Sequence, residues 1–200
     1  MTVQSIAVIG AGTMGNGIAQ VCAAGGYAVL MTDVSQSALE RGLQTMAASL
    51  ERMVSKEKIS TADKQAALAR VRTATELKAI ADCDLVIEAA TENLDLKLKI
   101  FNQADALAKP GAIIASNTSS ISITRLAAST RRPEQVIGMH FFNPVPVMGL
   151  VEVIAGLQTS VDAGSFAALY AQALSAAGNN PAVAIATIWV SEAWTSGQSR

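Results

Sequence analysis

Residues 5–19, SIAVIGAGTMGNGIA, carry a short β-branched apolar run through a glycine turn into a run of small residues. Gly10, Gly12 and Gly15 have the spacing G-x-G-x-x-G. In a strand–turn–helix unit the first glycine permits the tight turn, the second lets the backbone approach a pyrophosphate, and the third lets helix and strand pack closely. The N-terminus of the helix offers N–H groups and partial positive charge to phosphates. The segment therefore predicts a dinucleotide-binding loop, formed by Gly10, Ala11, Gly12, Thr13, Met14 and Gly15.

A second apolar run follows this helix and ends at Asp33. A carboxylate at that point of a βαβ unit accepts hydrogen bonds from the hydroxyls of an adenosine ribose. Residues 34–36, Val-Ser-Gln, include no lysine or arginine that could meet a 2′-phosphate. We therefore expect NAD rather than NADP as the cofactor. A glycine turn that binds no ligand is the alternative.

Strand-like and helix-like segments alternate along the rest of the chain. Apolar residues recur at steps of three or four over 36–56, and 61–71 begins with a helix-capping pattern, which predicts a helical arm after the second strand. Apolar runs that end in polar loops follow at 83–90, 111–120 and 135–144, with helices at 93–108 and 123–130. The fold class expected is α/β, a doubly wound Rossmann-type, mostly parallel sheet with its ligand site at the C-terminal strand ends.

The composition narrows the classes of function. The 200 residues are half hydrophobic and carry 15 basic against 16 acidic residues, so there is no electrostatic signature for nucleic acid or an anionic membrane surface. The first residues lack a basic start, and no run reaches the roughly 18 apolar residues of a membrane span. We expect a cytoplasmic protein without a membrane or nucleic-acid partner. Cys22 and Cys83 lie in apolar segments without metal-ligand spacing, so we expect buried thiols and no metal.

His140 is the only histidine of the chain and lies at the end of the third of these apolar runs. Glu152 lies in the apolar run LVEVI, which we expect to pair nearby. A carboxylate inside an apolar strand is costly unless it has a partner. Since oxidation of an alcohol by a nicotinamide needs a base, a His140–Glu152 pair is one interpretation. A histidine whose bonds are satisfied by the backbone at a strand end is the other.

Four groups of residues together resemble one known family: GAGTMGNGIA, VIEAATEN, ASNTSS, and HFFNPVP with the later LVEVI. They are similar to the NAD-binding domain of the L-3-hydroxyacyl-CoA dehydrogenase family, and the likeness runs from about residue 4 to about residue 180. The resemblance implies an oxidoreductase that interconverts a (3S)-3-hydroxyacyl-CoA and a 3-oxoacyl-CoA with NAD. Short-chain substrates of the 3-hydroxybutyryl-CoA type are expected from the same likeness.

The resemblance also implies roles for individual residues. It makes His140 the catalytic base and Glu152 the carboxylate that orients it. Ser119 would meet both the substrate oxygen and the cofactor. The remaining roles are cofactor contacts by Asn143, Glu92 and Lys97, and coenzyme A contacts by Ser49 and Lys56. An exposed helical turn with an ordinary charge pair is the alternative for Glu92 and Lys97, and a solvated helix face is the alternative for Ser49 and Lys56.

The likeness stops before the end of the chain. We expect an NAD-binding domain over residues 1–180 and an atypical tail over 181–200, in place of the helical domain that completes the acyl-CoA pocket and forms the homodimer in the family. A frameshift or premature stop in a longer ancestor is the hypothesis for this tail, and the chain would then be an NAD-binding module without activity. A lysine-dependent β-hydroxyacid dehydrogenase is disfavoured, because no lysine follows Lys109.

Overall fold

The computed structural model describes residues 3–163 and 187–189. Five α-helices and eight β-strands alternate along these residues. The strands are β1 Ser5–Ile9, β2 Ala28–Thr32, β3 Val71–Ala74, β4 Leu85–Glu88, β5 Ile113–Ser116, β6 Val136–Phe141, β7 Val151–Ala155 and β8 Thr187–Trp189. The helices are α1 Thr13–Ala24, α2 Gln36–Ser55, α3 Thr61–Ala69, α4 Leu94–Leu107 and α5 Ile123–Ala127, with short 3₁₀ turns at Leu77–Asp82 and Pro133–Gln135.

All eight strands form one sheet in the order β3-β2-β1-β4-β5-β6-β7-β8. The strands from β3 to β6 are parallel, β7 runs antiparallel to β6, and β8 pairs in parallel with β7. The order reverses between β1 and β4, which defines the switch point where doubly wound sheets bind ligands. The expected doubly wound, mostly parallel sheet is confirmed. Residues 187–189, within the expected tail, form the last strand of that sheet.

Helices cover both faces of the sheet and enclose two apolar cores. On one face Ile18 of α1 and Leu39, Met46 and Leu50 of α2 pack against β1 and β2. On the other, Phe101 and Ala104 of α4 and Leu126 of α5 pack against β4, β5 and β6. Because both faces are covered, β4 and β5 are buried throughout, as expected for parallel strands.

The helical arm after β2 is present. The Ser35 hydroxyl accepts a hydrogen bond from the Ala38 N–H at the start of α2, and Ser60 and Asp63 form a reciprocal capping box at the start of α3. The predicted helical segment 61–71 is too long at its C-terminal end: α3 ends at Ala69, and Val71 begins β3. This strand is short and partly exposed at the sheet edge, so it has no apolar run to reveal it.

At the end of the sheet opposite the switch point, two arginines form ion pairs with one buried carboxylate. The Asp105 carboxylate on α4 receives Arg132 Nε at 2.7 Å and Arg131 Nε at 3.0 Å, just before β6. Burial raises the pKa of Asp105, but the hydrogen bonds from Arg131 and Arg132 outweigh burial and leave the pKa below its usual range. The ionised carboxylate therefore stabilises the fold.

Cys22 and Cys83 are free and buried, as expected. Burial raises the pKa of Cys22 to about 12 and that of Cys83 to about 11, so both are protonated at neutral pH. Within the described ranges, no helix combines the length and apolar character needed to cross a bilayer.

Candidate active site

The glycine loop lies at the switch point, between the ends of β1 and β4. Gly10 has a φ of +105°, and a Cβ there would lie 2.8 Å from the carbonyl oxygen of Ala89. A Cβ on Gly15 would lie 1.8 Å from the carbonyl oxygen of Gly10, so only glycine lets α1 start this close to the turn. No atom lies within 4 Å of a Cβ on Gly12, which leaves this face of the loop open to a phosphate at the N-terminus of α1.

Asp33 follows β2 and holds the outer side of this loop. One carboxylate oxygen accepts the Ala11 N–H at 2.9 Å, and the other accepts the Ser35 N–H at 3.0 Å. An ionised carboxylate has about four lone-pair sites, so it can also accept ribose hydroxyls. The open side of the loop at Gly12 fits the pyrophosphate of NAD, and the remaining lone pairs of the Asp33 carboxylate fit the hydroxyls of its adenosine ribose.

His140 and Glu152 form the pair expected from the sequence. His140 lies near the end of β6 and Glu152 near the start of β7, and the antiparallel register places them directly opposite each other. Nδ1 of His140 lies 2.8 Å from an oxygen of Glu152, with 21% and 25% of the two side chains exposed. This bond fixes the ring and directs the second nitrogen, Nε2, away from the carboxylate. The alternative of a histidine satisfied by the backbone is wrong.

A cleft of about 350 Å³ joins this pair to the glycine loop. Ser119 and Asn143 lie at its wall, together with Glu92 and Met14, and the ring of Phe142 lies 4.7 Å from that of His140. The other lining residues are Ala89, Ala90, Asn117, His140 and Phe141.

Asn117 was missed by the sequence reasoning. Its side-chain oxygen accepts the backbone N–H of Phe141 at 2.8 Å, which ties the loop after β5 to the end of β6 beside His140. The signal lay in the motif ASNTSS itself, where an amide directly follows a buried strand.

Glu92 and Lys97 form an ion pair, and their contacts with the cofactor stay a prediction. Lys97 is 1% exposed and its ammonium lies 2.6 Å from Glu88 and 3.3 Å from Glu92, so the alternative of an exposed charge pair is wrong for Lys97. Lys97 is also not among the residues at the cleft wall, whereas Glu92 is. Burial raises the pKa of Glu92, but hydrogen bonds from Thr118 and Ser120 and the charge of Lys97 outweigh burial and lower the pKa overall.

Comparison with known proteins decides the family. A family described as "3-hydroxyacyl-CoA dehydrogenase, NAD binding domain" matches residues 5–184. The chain belongs to the 3-hydroxyacyl-CoA dehydrogenase family. NAD is therefore its cofactor, in agreement with the open face at Gly12 and the carboxylate of Asp33.

Named relatives agree with this family. The 3-hydroxybutyryl-CoA dehydrogenase of Bradyrhizobium diazoefficiens is 53% identical over 157 residues, which are 78% of this chain and 54% of that protein. The 3-hydroxyadipyl-CoA dehydrogenase of Escherichia coli is 46% identical over 162 residues, 81% of this chain and 34% of that protein. The crystal structure of (S)-3-hydroxybutyryl-CoA dehydrogenase from Ralstonia eutropha superimposes with a TM-score of 0.85 at 52% identity, covering 87% of this chain and 62% of that one.

This member of the 3-hydroxyacyl-CoA dehydrogenase family spans about half the length of the curated 3-hydroxybutyryl-CoA dehydrogenases that it matches. Its matched part includes the glycine loop, the His140–Glu152 pair and the cleft between them.

Ser49 and Lys56, expected at coenzyme A in this family, lie on and just after α2. Ser49 is half-buried and Lys56 is exposed at the C-terminal end of the helix. Neither lines the cleft between His140 and the glycine loop, so their contact with coenzyme A stays a prediction. Among the described residues, no cluster of histidine, cysteine and carboxylate side chains could hold a metal ion.

Proposed function

We propose that this chain carries the cofactor site and the catalytic base of an NAD-dependent dehydrogenase that interconverts a (3S)-3-hydroxyacyl-CoA and a 3-oxoacyl-CoA. The observation that carries the proposal is the 2.8 Å bond from Glu152 to His140, which lines the cleft that leads to the glycine loop. The names of the relatives support short-chain substrates of the 3-hydroxybutyryl-CoA class.

When bound, NAD would supply the acceptor or donor for the hydride at C3 of the substrate. His140 takes the proton of the 3-hydroxyl group at Nε2 in oxidation and returns it in reduction. Glu152 accepts the Nδ1–H, which holds Nε2 in the form that can accept a proton, and stabilises the positive charge that the ring then gains. The pair thus acts as an oriented base.

Side chains at the cleft wall place the reacting atoms. Ser119 is exposed and lies at the wall with His140, where its hydroxyl can donate to the substrate oxygen. Asn143 offers an amide to the cofactor from the same wall. The exposed ammonium of Lys56 is suited to a phosphate of coenzyme A, and Ser49 lies two turns earlier on the same helix. These contacts are part of the proposal.

The test follows NADH absorbance with acetoacetyl-CoA, using the full 200-residue protein, His140→Gln and Glu134→Gln. Glu134 is an exposed carboxylate before β6, so its variant is a control for a polar change outside the cleft. We expect turnover by the parent and the control, and a rate about 10²- to 10⁴-fold lower for His140→Gln.

NADH binding, measured by fluorescence titration, separates the two outcomes that would contradict the proposal. NADH binding by the parent protein without turnover would favour the alternative, an NAD-binding module without activity. Equal turnover by the parent and His140→Gln would remove His140 from the mechanism. Cytoplasmic location and a domain boundary near residue 180 stay predictions.

A further inference from the structure

Glu88, the last residue of β4, is a carboxylate with no exposed surface. One oxygen accepts hydrogen bonds from Lys97 Nζ at 2.6 Å and from the Ala90 N–H at 2.7 Å, and the other accepts from the Ser116 hydroxyl at 2.6 Å. A buried ion pair is costly to desolvate, and apolar residues of similar size often stabilise a fold equally well. Stability alone therefore does not account for this pair.

Lys97 connects Glu88 to Glu92 in the loop after β4, with its ammonium 3.3 Å from the second carboxylate. One oxygen of Glu92 then receives three donors from the loop after β5. These are the Thr118 hydroxyl, the Ser119 N–H at 3.2 Å and the Ser120 hydroxyl at 3.0 Å. Hydrogen bonds and the Lys97–Glu92 ion pair thus connect the core of the sheet to the backbone of Ser119.

The network ties together the loops after β4 and β5, both of which line the cleft. A dinucleotide crosses a doubly wound sheet at the switch point, between β1 and β4 in this chain, with its two halves on opposite sides. Asp33, after β2, lies on the adenosine side. Glu92 and Ser119 lie on the other side, with His140, where the nicotinamide must meet the substrate.

We propose that Glu88 is a positioning residue for the nicotinamide half of the cofactor site. It fixes Lys97 and Ser116, and through them holds Glu92 and Ser119 at the cleft wall. The inference rests on the proposed function only in that NAD occupies this cleft. It assigns Glu88 no contact with the cofactor or the substrate.

The test compares the binding of NADH and of ADP, which contains the adenosine and pyrophosphate groups but no nicotinamide. Glu88→Gln keeps the size of the side chain and removes the charge that holds Lys97. Loss of a charge-assisted hydrogen bond that positions the site should weaken NADH binding about tenfold. The dissociation constant for ADP should stay within about twofold, because Asp33 and the glycine loop are unchanged.

Asp105→Asn is the matched control, since Asp105 is another buried carboxylate in an ion pair but lies at the opposite end of the sheet. We expect it to lower the melting temperature without changing either dissociation constant. Ser116→Ala removes the hydrogen bond that the Ser116 hydroxyl donates to Glu88 and the longer one that it accepts from the Thr118 N–H, and it should weaken NADH binding by about threefold. If Glu88→Gln does not fold, the dissociation constants of Ser116→Ala for NADH and for ADP provide the test instead.

Two outcomes would overturn the inference. Equal weakening of NADH and ADP would show that Glu88 only supports the fold, and unchanged NADH binding would show that it does not position the site. Because the readout is binding, a parent protein that binds NADH but does not reduce acetoacetyl-CoA refutes the proposed catalysis and leaves this inference testable. A parent protein that does not bind NADH refutes both.

Discussion

Replacing Glu152 by glutamine would test the base directly, because it removes the charge opposite His140 while keeping the length of the side chain. Two unit charges about 4 Å apart interact by about 4 kcal/mol at an effective dielectric near 20. With 21% of His140 and 25% of Glu152 exposed, solvent screening lowers this toward about 2 kcal/mol. The ring gains its charge in the transition state of alcohol oxidation, so the loss falls on kcat.

These energies correspond to a decrease in kcat of roughly 30- to 1000-fold for Glu152→Gln. Steady-state oxidation of (S)-3-hydroxybutyryl-CoA with NAD measures the rate, and fluorescence titration should show that NADH binding is unchanged. Glu134→Gln, an exposed carboxylate changed in the same way, should keep the parent rate. A kcat for Glu152→Gln within about threefold of the parent would refute the role given to this carboxylate.

Two other predictions concern the glycine loop and acid stability. Gly15→Ala should lower the melting temperature by several degrees, because its Cβ would lie 1.8 Å from the Gly10 carbonyl oxygen. Gly12→Ala should keep the parent melting temperature, because its Cβ would meet no atom within 4 Å, and should weaken NADH binding. Thermal melts with and without NADH measure both, and equal melting temperatures for the two variants would contradict the packing argument. The lowered pKa of Asp105 contributes stability that is complete above its unfolded pKa and is lost as the pH falls from about 5 through the folded pKa. Urea unfolding from pH 7 to pH 3 should therefore show a shallower decline for Asp105→Asn than for the parent, and parallel curves would contradict this account.

Local patterns were enough to predict the first half of the site. One βαβ unit contains the glycine spacing, the apolar run before it and the carboxylate after β2. Residues that are close in the sequence of this unit are also close in space, so the local pattern predicts the site. Pairing of His140 with Glu152 was also predictable, because a charged residue inside an apolar strand needs a partner and the chain offers one histidine. Their assignment as base and orienting group came from the family resemblance.

Contacts between distant segments were not predictable in this way. The sequence pattern indicates only that Glu88 is the polar end of an apolar strand. Its partners in the structure, Lys97 and Ser116, come from a helix and from the neighbouring strand. Only the parallel register that places Glu88 beside Ser116 brings these three together in the core. The burial of Lys97 follows from that arrangement. The local sequence, the first turn of a polar helix, does not show the arrangement and therefore suggested an exposed side chain.

The reversal of strand direction after β6 explains why His140 has a carboxylate partner at this edge of the sheet. Parallel strands β1, β2, β4 and β5 all end at the same edge of the sheet, so each contributes only the loop that follows it there. Because β7 runs antiparallel to β6, the start of β7 lies beside the end of β6, and Glu152 faces His140 in register. In a parallel β7 the cleft edge would carry Ile154 and Ala155, and Glu152 would lie toward the opposite edge. In the proposed function, the loops after the parallel strands hold the cofactor, and the antiparallel strand carries the carboxylate that orients the base.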